Sequence, residues 1–304
     1  MNILRHKLFD NFHKMKDFIF SIPSDKDILD FTNSLLYKGG RGVVSDLVLK
    51  RLMTKVAFGN EMHKQPVELY KYLHLVKEVS VFLFEKKSRT VGSEFIYILG
   101  NKECRGIGEE IKYFGSYYDW VQAFQLCLIL KDETGLNKLL ALVNDPKNFE
   151  VEGLAPYSPD VKEVEFYQSL FTNDPSFIAS SFKTVYSLFD FDKYPPISPE
   201  FEEMAYHLRV PMLDVYFGII SKDEDLYNKY LADSLIGLRK YVESTKFSDT
   251  RHADAFYFIY WAALAAIRFA ELNGLKTHVT SEYLPQWLVD GNFEGLPTVF
   301  DTME

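Results

Sequence analysis

Apolar positions recur at three- and four-residue steps along most of this chain, the period of an amphipathic helix. Leu4, Leu8, Phe12, Met15 and Phe18 fall on one such face near the N-terminus. Ser24 and Asp27 are placed to start a second helix through Ile28, Phe31 and Leu35, which the Gly39-Gly40-Arg41-Gly42 cluster ends as a turn. The pattern predicts further helices over 44–58 and from Pro66 onward, where proline suits a first turn. In the latter, Leu69, Leu73, Val76, Val79 and Leu83 form the stripe, and Glu68, Lys71, Lys77 and Glu78 are expected mostly away from it. Residues 86–115 are the least helical part. The apolar run at 93–99 reads as strand or as helix, because so short a run does not separate the two periods.

Beyond that point one shape repeats. Three apolar helix ends run into acidic turns at Asp132, Asp174 and Asp223, and each turn opens a new amphipathic helix. Each aspartate stands where an N-cap accepts hydrogen bonds from unpaired backbone N–H groups. A fourth pair turns at Asn273-Gly274. Helix hairpins at this period predict an all-α fold of stacked helical hairpins, as a short α-solenoid or an irregular helical bundle. One short strand segment near 93–99 is compatible with it. The expected organisation is an N-terminal helical region, 1–90, and a helical-repeat body, 91–304, within one compact unit. The body centres on 255–267, thirteen consecutive apolar residues between Asp254 and Arg268. Thirteen is short of the roughly 20 that cross a bilayer, so a helix apolar on all sides is expected to be surrounded by protein. Two proline-rich acidic loops, 144–159 and 189–203, interrupt the repeats. Pro211 is expected to break its helix near Leu208.

Composition changes this picture little, but charge narrows it. Across 304 residues the formal net charge is −9, which opposes binding of nucleic-acid backbones by the surface as a whole. It suits a solvated protein or one with a basic partner. Cys104 and Cys127 lack any CxxC spacing, and the N-terminus lacks a continuous apolar leader, so a cytoplasmic protein without a disulfide scaffold is expected. Catalytic signatures are absent: no GxSxG, no GxGxxG after a strand, no HExxH. Glu203 and His207 make one i, i+4 pair, too few for a zinc site. Lys102 and Arg105 flank Cys104 and could lower its pKa, but no histidine stands near it in sequence. No catalytic residue, cofactor or metal ligand is therefore expected, nor a membrane span. What remains is a helical body rimmed by acidic and aromatic loops, which is the description of a protein-binding surface.

One segment carries a family likeness. Residues 215–289 run from a helix ending YFGIISKDEDLYNKYLADSL, through the small-residue helix WAALAAIRFAELNGLK, to HVTSEYLPQWLV. This order resembles the C-terminal part of the immunity-protein-49 family of bacterial polymorphic toxin systems. The likeness rests on Ser281, Glu282, Tyr283, Leu284 and Pro285, with Ser-Glu in place of the family's Glu-Ser order. It covers about 80 residues. The resemblance implies a cytoplasmic, all-helical, non-enzymatic antitoxin that binds the C-terminal domain of a toxin, often a nuclease, and blocks its active site. Tyr283, Leu284 and Pro285 would then be structural, locking the last segment across the central helix. The contact surface expected on that reading is Asp190, Asp192, Tyr194, Glu200, Glu202 and Glu203, with Asp223, Glu224 and Asp225 as second choice. A peptide-binding helical scaffold and an all-α enzyme are the competing readings; the first needs a concave groove and the second a deep polar pocket.

Overall fold

The computed structural model describes residues 2–4, 30, 46–61, 63–100, 102–108, 116–142, 158–244 and 255–302. The two N-terminal helices, the turn at 39–42 and most of the loop at 144–159 lie outside them. Residues 9–151 with 291–304 form one compact unit, and residues 1–8 with 152–290 form another. Among the described residues the fold is all-α apart from two short two-stranded sheets. The first strand in the chain, β1 (Asn2–Ile3), belongs to the second unit.

In the first unit, α1 (Asp46–Glu61) packs on α2 (Pro66–Ser88). Pro66 occupies the first turn, where its missing N–H costs nothing. The stripe Leu69, Leu73, Val76, Val79 and Leu83 is buried as expected. So are Tyr70, Leu75, Phe82 and Phe84, because α2 also receives the helices that follow. One expectation fails here: Lys77 is only 4% exposed, drawn inward by Asp132 at 2.8 Å and by Glu78. The ambiguous run forms β2 (Glu94–Leu99), paired antiparallel with β3 (Lys102–Ile107). Its period is two. Phe95, Tyr97 and Leu99 turn inward, with Phe95 and Tyr97 against Phe82, while Ile96 and Ile98 face out. Next come α3 (Tyr117–Ile129), opened by a Ser116–Asp119 capping box, and α4 (Glu133–Leu142). Asp132 caps α4 through the Gly135 N–H at 2.9 Å.

The second unit is built from helix hairpins. α5 (Pro159–Ser169) pairs with α6 (Pro175–Ser187), whose N-cap Asp174 accepts from the Ser176 and Phe177 N–H groups. After α7 (Pro199–Met204), α8 (Val210–Ile220) pairs with α9 (Glu224–Glu243), capped by Asp223. Each of the three acidic turns is thus an N-cap, a contribution of about 1 kcal/mol apiece. Gly218 of α8 lies so near α9 that a Cβ would meet the Tyr227 backbone at 2.7 Å.

Two expectations need correction. The apolar run is not one helix: Ala255–Phe258 forms a 3-10 turn, and the regular helix, α10, spans Trp261–Leu272. The chain bends at Tyr260, whose N–H donates to the Tyr283 carbonyl at 3.0 Å, so tertiary pairing overrides local pattern. Gly274 at φ 78° follows it, as the Asn-Gly signal required. Arg268, at the polar end of the run, is only 4% exposed, donating to the Leu288 carbonyl and to Glu271. The second correction concerns Pro211. Helical backbone runs through it, because a π segment, Ala205–Arg209, absorbs the missing donor with a Val210 N–H to Ala205 carbonyl bond. After α10, β4 (Thr280–Ser281) pairs parallel with β1, and α11 (Gln286–Asp290) closes the unit.

Candidate functional site

The π segment positions the feature around which the acidic loop is built. Arg209, at its end, is largely buried, with Nη1 2.7 Å from Asp160 and Nε 2.9 Å from Glu163, which also pairs with Nη2. Glu163 accepts in addition from the Tyr167 hydroxyl at 3.1 Å. Burial alone would weaken the Arg209 charge, but Glu163 and then Asp160 outweigh it and hold its pKa above the ordinary arginine value. The same guanidinium faces the rings of Phe189 and Phe201, at 5.3 and 5.6 Å from their centroids. Those rings bracket residues 190–200. One buried arginine therefore ties both ends of the loop to α5. Removing one member of such a buried pair costs about 3–5 kcal/mol.

Within the bracket the backbone turns tightly: the Lys193 and Tyr194 N–H groups both donate to the Asp190 carbonyl. Ser198 then caps α7 through the Phe201 N–H at 3.1 Å, with Glu200 and Glu202 in its first turn, where carboxylates favour the helix dipole. Asp190, Asp192 and Glu200 are exposed, Tyr194 is 48% exposed, and Glu202 and Glu203 are half-buried. The structure thus brings the first expected set together on one loop and one helix start. The second set is divided. Asp223 is the α9 cap; Glu224 accepts the Lys276 N–H at 2.8 Å and meets His278 Nε2 at 2.9 Å; Asp225 is left exposed. The Lys276 hydrogen bond, then His278, holds the Glu224 carboxyl below its usual range. Ser281 accepts the Tyr283 N–H and donates to the Ile3 carbonyl at 2.8 Å, Glu282 is exposed, and Tyr283, Leu284 and Pro285 are buried.

Sequence reasoning missed the aromatic surface beside this loop. Of the thirteen residues of α6, only Val185 is fully buried. Tyr186 on α6, Tyr206 in the π segment and Phe217 on α8 are exposed, and ring contacts link them inward: Phe182 to Tyr186 and to Phe217, Phe191 to Tyr206, each at 5.5 Å. An excess of aromatics over the single inward stripe of α6 was the available signal. Charge is also uneven. Residues 158–244 hold 15 of the 43 acidic side chains and 8 of the 34 Lys and Arg, so this stretch carries −7 of the formal −9.

The other unit holds a set of residue types that would suit catalysis, Lys77, Glu78, Asp132 and His74, but its charges are already paired. Burial first, then Lys77, depresses His74 to about 3, although Glu78 lies 3.5 Å from its Nε2. Lys77 claims Glu78 more closely, so the imidazole stays neutral. Burial also pushes the Cys104 thiol up, against the expectation drawn from Lys102, and pushes Cys127 up further. Among the described residues no three His, Cys, Asp or Glu side chains converge as a metal site, and no helix is long and apolar enough to cross a membrane.

Compared with known proteins, residues 60–288 match the family model described as immunity protein 49. The match covers most of the chain rather than only the C-terminal 80 residues that the sequence likeness suggested. No curated protein and no solved structure matches.

Proposed function

Since this chain belongs to the immunity protein 49 family, we propose that it is a cytoplasmic, non-enzymatic antitoxin that binds a toxin domain through the loop at 189–203. The observation that carries the choice of surface is the Arg209 anchor: it fixes a loop bearing Asp190, Asp192, Tyr194 and Glu200 in the most acidic stretch of the chain. A preorganised loop pays little ordering entropy on binding. An acidic field there steers a basic partner and speeds association. Toxins that cut nucleic acids need a positive groove for phosphates, so a nuclease domain is the partner class this surface fits. In that case the loop fills the groove and keeps substrate out.

The test is co-expression with the toxic C-terminal domain encoded beside this gene, followed by binding measurements on the purified pair. Growth rescue and a complex whose association slows with added salt are expected. Asp190→Lys with Asp192→Lys should lower affinity by about tenfold or more, given the ~1.4 kcal/mol that each tenfold represents. Failure of the wild-type protein both to bind and to rescue would end the antitoxin reading. Unchanged affinity in the charge-reversed protein would move the contact away from this loop.

A further inference from the structure

Among the described residues, β2 and β3 form a two-stranded sheet that no further strand joins. Its hydrogen-bond ladder has a fixed phase. The Gly108 N–H donates to the Ser93 carbonyl, directly across the hairpin, at 2.8 Å. In an antiparallel pair such bonded positions alternate along the strands. Phe95 with Gly106, Tyr97 with Cys104 and Leu99 with Lys102 are therefore the bonded pairs of the observed register. Glu103, Arg105 and Ile107 fall between them, so their N–H and C=O groups point away from β2, along the outer edge of β3. Among the described residues no backbone group meets that edge. Glu103 and Arg105 are exposed, and neither has an ion-pair partner. Within the hairpin they stand opposite Ile98 and Ile96, which are 60% and 58% exposed.

Free backbone groups beside exposed isoleucines make a template for another strand. We propose that the occupant is β3 of a second copy of this chain, paired antiparallel about a two-fold axis at Cys104. The edge is self-complementary about that point. Glu103 of each copy then faces Arg105 of the other, and their outward N–H and C=O groups meet as the bonded pairs that the ladder phase requires. A shift by two residues would set Arg105 against Arg105 or Glu103 against Glu103. A shift by one would turn the bonding groups away from each other. Charge and phase together select one register. In the sheet so formed each ion pair lies between two isoleucines, Ile98 beyond Glu103 and Ile96 beyond Arg105. The outer edge of β2 lacks this match, since Glu94, Ile96 and Ile98 offer no cation. Backbone pairing supplies the affinity and the ion pairs choose the partner strand. So small a contact gives a weak, concentration-dependent dimer rather than a permanent one. This pairing is independent of the antitoxin reading, because β3 belongs to the first unit and the acidic loop to the second.

The experiment is analytical ultracentrifugation of the full chain over a concentration series. Wild type is compared with Glu103→Arg, with Arg105→Glu, with the double variant carrying both substitutions, and with an equimolar mixture of the two single variants. Wild type is expected to pass from monomer to dimer as concentration rises. Each single substitution puts like charges across both ionic contacts and should weaken the dimer about tenfold or more. The double variant and the mixture restore opposite charges and should recover pairing to near the wild-type level, which a damaged fold could not do. The melting temperature of each variant should match wild type, because both side chains are exposed and unpartnered. Hydrogen exchange should show the amides of 103 and 105 gaining protection with concentration, and those of 96 and 98 unchanged. A wild type still monomeric near millimolar concentration, a dimer indifferent to both single substitutions, or a mixture that fails to recover would each overturn the proposal. Protection gained at 96 and 98 instead would put the contact on the β2 edge and overturn it equally.

Discussion

At the scale of single residues, burial decides which charges count. Lys77, Arg209 and Arg268 are buried cations, each held by partners from other helices or from the backbone. His74 is the opposite case, an imidazole kept neutral because burial and Lys77 both oppose its proton. Its folded pKa near 3 against an ordinary 6.5 sets a sign: the unfolded chain takes up the proton first. The stabilisation is complete above about pH 6.5 and is lost as pH falls toward 3. The slope is about 1.4 kcal/mol per pH unit, so roughly 2 kcal/mol should be gone by pH 5. Urea denaturation followed across pH 4–7 should reveal this limb, and His74→Gln should flatten it. An equally steep limb in the variant would place the linkage elsewhere.

At the scale of elements, close backbone approach fixes how the helices of the second unit meet. The π segment presents the His207 carbonyl to Gly237 of α9, where a Cβ would overlap that oxygen, and the Leu208 carbonyl accepts the Tyr260 hydroxyl at 3.4 Å. Gly237→Ala is therefore expected to cost about 1–3 kcal/mol of overpacking strain and to shift the Arg209 anchor, read as a lower melting temperature and, on the proposed antitoxin reading, altered toxin affinity. A variant as stable as wild type would mean that α9 can slide. The helices themselves were legible in the sequence, since caps at Asp132, Asp174 and Asp223 and the Asn273-Gly274 stop are local signals. The π segment was not, because Pro211 announces a fault in the hydrogen-bond ladder without saying how it is repaired. The acidic loop was legible from its composition. Its anchor was not: Arg209 meets Glu163 46 residues away. Such meetings exist only after the hairpins pack, and the competing helix-to-strand reading at 93–99 was settled only by its partner strand.

At the scale of the whole molecule, charge and connectivity are both uneven. The excess of carboxylates gathers in the second unit, whose family-matched helices carry the proposed contacts, while the rest of the chain is nearly balanced at −2 of −9. That unit is also discontinuous: residues 1–8 join 152–290, and the stretch between forms the other unit. β1 pairs with β4 across the chain, Asn2 opposite Thr280 and Ile3 opposite Ser281. A ribosome must therefore add the 278 residues from Ile3 to Ser281 before this pairing can form. At about 5–20 residues per second that is on the order of 15–60 s of synthesis. Chains stalled with residue 281 still inside the exit tunnel should be cut readily by protease in the second unit, and chains released past it should resist. On the antitoxin reading proposed above, protection arrives in one late step, so a cell is covered by molecules already completed rather than by those still being made.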